Sequence, residues 1–192
     1  MSLSAPEICA IVTSNAVARI ILDRLPKLKL EQAYLAAGAV FQPVWNFRAR
    51  LPVEYGINDY DIAYFDPDLS YAAEDEVIRR GAALFADIAA RIEIRNQARV
   101  HLWYPARFGA PYPRLTSCAD GISRYLVACT CMGLSATGDM IAPDGYDDLW
   151  HGILRPNPRA PSLARFAAKA RSYQARWPWL RVVDADGPSP LR

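Results

Sequence analysis

Two aspartates separated by one residue, Asp59 and Asp61 in Gly56-Ile57-Asn58-Asp59-Tyr60-Asp61-Ile62, are the side chains in this sequence best suited to chemistry. The stretch Tyr60-Asp61-Ile62-Ala63-Tyr64-Phe65 is rich in strand formers and ends in the turn signal Asp66-Pro67-Asp68, so it predicts a strand that carries both carboxylates on one face. Tyr60 and Ile62 then point the other way, into a core. Carboxylates this close repel, and one of them takes up a proton unless a cation lies between them. Hard oxygen donors suit Mg²⁺, which commonly takes one or two protein carboxylates and completes its shell with water and substrate phosphates. A bare Asp-x-Asp reads equally as two solvated acids at a strand edge, so its neighbours must decide.

A two-metal site, or a base for an attacking hydroxyl, needs a third acid. Glu93 is the natural candidate because it lies in the next predicted strand, Arg91-Ile92-Glu93-Ile94-Arg95. Upstream, Gly38 stands at a predicted strand-to-helix turn, where backbone N–H groups and the helix dipole can cradle phosphate. Arg99-Val100-His101-Leu102-Trp103-Tyr104, stopped by Pro105, reads as a further strand. Arg99 and His101 would share one face of it and could meet phosphate or orient the third acid.

The elements that must hold these residues follow from periodicity. Residues 6–24 place Ile8, Ile11, Val12, Ala16, Ile20 and Ile21 at helical spacing, which predicts one N-terminal helix. A short strand over 34–37 leads into the glycine turn, and a helix follows through Val40, Phe41, Val44, Trp45 and Phe47 despite Pro43. Ser70 caps a helix that runs to about residue 90, with Glu74, Asp75 and Glu76 near its positive end. Weaker signals suggest a helix over 117–127, an unassigned piece over 134–141 and a short helix over 147–153. After the rigid loop Arg155-Pro156-Asn157-Pro158, Ser162 opens a last helix that turns Phe166, Ala170 and Tyr173 inward. Its outer face, Arg165, Lys169 and Arg176, reads first as solvated and second as phosphate-binding. This is an α/β (α+β) pattern: a small mixed sheet flanked by helices over about 30–105, then a largely helical part over about 106–192, in one domain spanning 1–192.

Composition excludes several classes. With 192 residues and 52% hydrophobic content, the chain is long enough to bury a core. Its 22 basic and 20 acidic residues nearly balance, so overall charge points to no nucleic-acid or membrane partner. No apolar run reaches the length of a membrane span, and Met1-Ser2-Leu3-Ser4-Ala5-Pro6-Glu7 has no signal-peptide character. The expectation is a soluble cytoplasmic protein. Four cysteines without a Cys-x-x-Cys pair, and two histidines, argue against a zinc cluster. No Gly-x-Ser-x-Gly elbow is present for acyl chemistry. A haloacid-dehalogenase type of Asp-x-Asp would follow a hydrophobic strand, whereas Glu54-Tyr55-Gly56-Ile57-Asn58 precedes this one.

Several blocks carry a family resemblance: Ala37-Gly38-Ala39, Val44-Trp45-Asn46, Asn58-Asp59-Tyr60-Asp61-Ile62-Ala63-Tyr64-Phe65-Asp66, Asn96-Gln97-Ala98-Arg99-Val100-His101-Leu102-Trp103-Tyr104 and Arg155-Pro156-Asn157-Pro158. Over roughly residues 30–180 the chain resembles a bacterial nucleotidyltransferase-like family, formerly a domain of unknown function and a branch of the DNA polymerase β-like superfamily. The resemblance implies a hydrophobic-Gly-[Gly/Ser] turn formed by Gly38 and Ala39, a metal pair formed by Asp59 and Asp61, and Glu93 as third acid. Ala39 departs from the usual Gly or Ser, and the gap from Gly38 to Asp59 is longer than usual. The implied reaction is Mg²⁺-dependent transfer of a nucleoside monophosphate from a nucleoside triphosphate to an acceptor hydroxyl, with release of pyrophosphate. The alternative is a catalytically silent nucleotide-binding or interaction module of the same fold. Neither the nucleotide, the acceptor nor the oligomeric state is specified.

Overall fold

The computed structural model describes residues 3–184, so the two ends of the expected 1–192 span, residues 1–2 and 185–192, lie outside the described part. In chain order its elements are α1 (Ala5–Ser14), α2 (Ala16–Arg24), β1 (Tyr34–Ala36), α3 (Gly38–Ala49), β2 (Tyr60–Tyr64), α4 (Tyr71–Leu84), β3 (Ile92–Asn96) and α5 (Val100–Phe108). Then come α6 (Cys118–Ile122), β4 (Gly133–Ser135), β5 (Met140–Ile141), α7 (Asp147–His151), β6 (Ile153–Leu154), α8 (Phe166–Arg176) and β7 (Arg181–Val182). Five strands form one mixed sheet in the order β3-β2-β1-β4-β5, and β6 pairs with β7. β2 and β3 are parallel; β1 runs antiparallel to both β2 and β4. The expected α/β class with a small mixed sheet therefore holds.

Period-two alternation gives the sheet two unlike faces. Leu35, Tyr60, Ile62, Tyr64 and Ile94 enter the main core with Ile8, Val12, Ile21, Val40 and Trp45. The alternate residues Ala36 and Ala63 meet only a small cluster with Cys118 and Ile122 of α6. Asp61 belongs to this second face, paired in register with Ala36 of β1 and Glu93 of β3. Small side chains and thin cover leave a cleft there.

An aromatic cluster pins the last helix over that cleft. Trp45 of α3 lies 5.2 Å from both Trp177 and Tyr173, in edge-to-face contacts, and Phe41 lies 5.5 Å from Tyr173. Such pairs contribute about 0.5–1.5 kcal/mol each beyond area burial. The Trp177 indole N–H donates to Asn46 Oδ1 at 2.8 Å, and that of Trp45 to the Leu149 carbonyl at 3.1 Å. The loop carrying Asp59 turns at Gly56, whose φ of +73° suits glycine and where a Cβ would meet the Trp177 ring at 3.1 Å.

The part after residue 106, expected to be largely helical, supplies β4 to β7, two of them in the main sheet, and the last helix opens at Phe166 rather than Ser162. Local readings fail at further places. The expected single helix over 6–24 breaks at Asn15, whose Oδ1 accepts from the Ala18 N–H at 3.0 Å and whose amide donates to the Tyr60 hydroxyl at 3.0 Å. Asn15 is a cap for α2, not a polar residue on a continuous face. The expected strand over 99–104 is helix α5. Asn96 Oδ1 accepts from the Ala98 N–H at 3.0 Å and turns the chain after β3, so Val100-His101-Leu102-Trp103-Tyr104 continues as helix despite its strand-like composition. The expected helix over 117–127 shrinks to Cys118–Ile122, and the unassigned stretch over 134–141 supplies β4 and β5. The 70–90 helix is present with Ser70 accepting from Ala73 N–H at 3.2 Å, but it ends at Leu84.

Candidate active site

A cleft of about 360 Å³ opens on the thinly covered face of the sheet. Asp59 and Asp61 line it from the start of β2, and Ala37 and Gly38 from the turn between β1 and α3. Arg95 of β3, Arg124 beyond α6, and Arg165 and Lys169 at the start of α8 bring positive charge. Two carboxylates thus face several cations across one cleft.

The pair's electrostatics follow from its position. Burial holds the Asp61 carboxyl up at about 6, with Asp59 and Glu93 adding repulsion and Lys169 and Arg95 opposing it. The Lys169 ammonium is held below its usual value, first by the protein crowded around its stem and then by Arg176, while Asp59 and Asp61 pull the other way. A divalent cation relieves a buried, repelling carboxylate pair, and both groups are hard oxygen donors, so Asp59 and Asp61 fit Mg²⁺. Among the described residues, no three His, Cys, Asp or Glu side chains are gathered as a metal cage.

Glu93 explains that. It is the parallel-register partner of Asp61, on the same face as the resemblance requires. Its carboxylate, however, is ion-paired with Arg91 and, at 3.5 Å, with Arg95, and Glu93 is not among the residues lining the cleft. Glu93 thus stands beside Asp61 in the sheet with its carboxylate engaged by Arg91 and Arg95.

The turn is built differently too. The strained residue is Ala37, with φ 53° and ψ −129°, a conformation that costs a non-glycine residue of the order of 1–3 kcal/mol. Gly38 is the first residue of α3, and a Cβ there would meet the Gln42 side-chain nitrogen at 2.5 Å. Gln42 is 7% exposed, lines the cleft, and its Oε1 has no hydrogen-bond partner. Ala39 is fully buried in the core and does not line the cleft.

Arg99 and His101 fall away from the cleft because the segment is helical. Arg99 pairs with Glu74 at 3.2 Å and donates to the Ser70 carbonyl at 2.8 Å. Both ring nitrogens of His101 are buried without a partner, and the residue does not line the cleft. The same helix delivers side chains that sequence reasoning left out: Trp103, Tyr104 and Phe108 line the cleft, joined by Tyr112 and Tyr125. Arg165 and Lys169 were visible as an i, i+4 basic pair but read first as solvated.

Comparisons with known proteins bear on the fold and the family. No curated protein matches the chain. A solved structure described as a CCA-adding enzyme head domain matches with a TM-score of 0.72 and 24% identity, over 93% of this chain and 95% of that one. That likeness shows the fold. A family model described as nucleotidyltransferase matches residues 23–182, most of the described chain, so the protein belongs to that nucleotidyltransferase family.

Proposed function

We propose that the protein is a Mg²⁺-dependent enzyme that transfers a nucleoside monophosphate from a nucleoside triphosphate to an acceptor hydroxyl. Family and fold support nucleotidyl transfer in general. The observation that carries the finer reading is the single cleft holding Asp59 and Asp61, the N-terminus of α3 at Gly38, and the cations Arg95, Arg165 and Lys169. Such an arrangement serves a polyphosphate: positive groups and helix N–H donors face its oxygens, while the acids hold the metal that accompanies it.

In the reaction, an acceptor oxygen bonds the α-phosphorus and the bond from that phosphorus to its bridging oxygen breaks. The electron pair leaves with pyrophosphate, and the acceptor proton passes to a carboxylate of the cleft. Asp59 and Asp61 would hold Mg²⁺, which when bound supplies charge neutralisation at the phosphates. Lys169 and Arg165 neutralise charge growing on the leaving pyrophosphate. The Gly38 turn positions the triphosphate, and the aromatic cluster that fixes α8 to α3 keeps cations and acids at a constant separation.

One observation favours the second reading, a nucleotide-binding module without turnover: Glu93 is engaged by Arg91 and Arg95. A single assay separates the two. Pyrophosphate release is measured with Mg²⁺, each of the four nucleoside triphosphates and a panel of hydroxyl acceptors, including RNA 3′ ends. Release that disappears in Asp61→Ala supports the enzyme; tight nucleotide binding with no release from any combination supports the silent module.

A further inference from the structure

The cleft has two chemically distinct halves, and the acids, the turn and α8 account for one. The other half is lined by Trp103, Tyr104 and Phe108 of α5 and by Tyr112. All four are only partly buried, and none belongs to either apolar core cluster, although other aromatic residues of the chain do. Their rings sit close together: Tyr104 lies 4.6 Å from Phe108 and 4.4 Å from Tyr112, and Trp103 lies 6.3 Å from Phe108. Arg165 links the halves. It sits at the N-terminal cap of α8, the helix that carries Lys169, and its guanidinium lies 4.4 Å from the Phe108 ring.

We propose that this aromatic wall is the subsite for the base of the donor nucleotide, which stacks on rings of α5 while its phosphates face Gly38, Lys169 and the acids. The inference rests on the nucleotide-binding reading above. Partly buried aromatic rings that serve no core offer apolar surface to the cleft they line, with Phe108 also in contact with the Arg165 and Arg107 guanidinium groups at 4.4 and 5.4 Å, and a heteroaromatic base is the flat apolar part of a molecule whose other end is polyanionic. A cleft of about 360 Å³ is at the small end of ligand sites, room for one nucleotide, so the ring that reaches the wall belongs to the molecule whose phosphates occupy the charged half. Stacking uses the face common to all bases. The wall therefore favours nucleotides over bare polyphosphate and discriminates weakly among the four bases.

The test is calorimetric binding of Mg²⁺-tripolyphosphate and of Mg²⁺-nucleoside triphosphates to the full chain, wild type and the variants Trp103→Ala and Tyr104→Ala. The expected result is nucleotide binding at least about fivefold tighter than tripolyphosphate in the wild type. Each variant should lose that advantage while its tripolyphosphate affinity stays put. Tripolyphosphate binding also reports folding; if Tyr104→Ala loses it by disturbing the packed rings, Trp103→Ala decides. Equal wild-type affinity for nucleotide and tripolyphosphate overturns the subsite, as do variants that bind nucleotide like the wild type. Variants that keep donor affinity but slow transfer to an acceptor also overturn it, by placing the acceptor's ring at the wall. No binding of either ligand by the wild type defeats the nucleotide reading itself, a different outcome from the loss of the subsite alone.

Discussion

Replacing Asp61 with asparagine should make the metal-free protein more stable while removing its response to Mg²⁺. Burial, then Asp59 and Glu93, raise the Asp61 carboxyl from 3.8 to about 6. The raised value fixes the sign. Between these two values the native state keeps a proton that the unfolded chain releases, so stability falls as pH rises through the window, and the whole penalty is present above it. Two pKa units correspond to about 3 kcal/mol. Asp61 retains some solvent contact, and screening reduces the realised penalty to about 1–2 kcal/mol. Asparagine keeps the size and discards the charge, so that amount returns as stability.

For a chain of this length, the gain appears as a rise in Tm of roughly 2–8 °C at about pH 8. It shrinks towards nothing at about pH 4, where the wild-type carboxylate is protonated in the folded state and half protonated when unfolded. Thermal unfolding followed by circular dichroism, in chelator and then in Mg²⁺, measures both halves of the prediction. Mg²⁺ should raise the Tm of the wild type by mass action and leave Asp61→Asn unmoved. A variant less stable than the wild type at about pH 8 in chelator would falsify the repulsion argument, because Asp61 would then be stabilising the fold rather than straining it.

Other outcomes follow from the same geometry. Arg165→Ala and Lys169→Ala should each weaken Mg²⁺-tripolyphosphate binding about tenfold, the loss of one charge-assisted contact, with Tm nearly unchanged for the exposed Arg165 and somewhat lowered for Lys169, which packs over Tyr173 and offsets the charge of Asp59 and Asp61; calorimetric affinities equal to the wild type would refute a phosphate role for these two cations. Gly38→Ala forces the Gln42 side chain aside, since a Cβ meets its nitrogen at 2.5 Å. The clash is with the far end of a flexible side chain at the cleft wall, so unfolding should show a change under about 1 kcal/mol, while triphosphate affinity drops severalfold. Arg99→Met should do the reverse: the Arg99–Glu74 side chains are each 11% exposed, and stranding Glu74 costs about 3 kcal/mol in denaturant unfolding with tripolyphosphate affinity intact.

Most of the framework was legible because it rests on local signals that tertiary contacts reinforce. The strand over 60–64 alternates core and site residues, the turn at 37–38 separates strand from helix, and Ser70 caps the helix it precedes. What escaped depends on partners far along the chain. Nothing local to Asn15 says that its side chain will both cap α2 and meet Tyr60, 45 residues away. The three-residue β4 acquires strand character through pairing with β1 on one side and β5 on the other, and its own pattern is too short to declare itself.

The candidate site divides along the same line. Asp59 and Asp61 were readable because their relation is set by one strand's period. Glu93 lies in the strand beside that of Asp61, as expected, but nothing in its local pattern says that Arg91 and Arg95, on its own strand, engage its carboxylate. Reading residues 99–104 as strand put Arg99 and His101 at the phosphates; as helix, the same segment turns Arg99 toward Glu74 and sends Trp103, Tyr104 and Phe108 into the cleft instead. The basic pair on α8 has the spacing of any solvated face, and only the Trp45, Tyr173 and Trp177 contacts, which dock that helix against α3, turn Arg165 and Lys169 from surface charges into the positive side of a cleft. Spacing within an element reveals which residues share a face; what that face meets is decided by packing between elements, and the positive half of this site exists only through such packing.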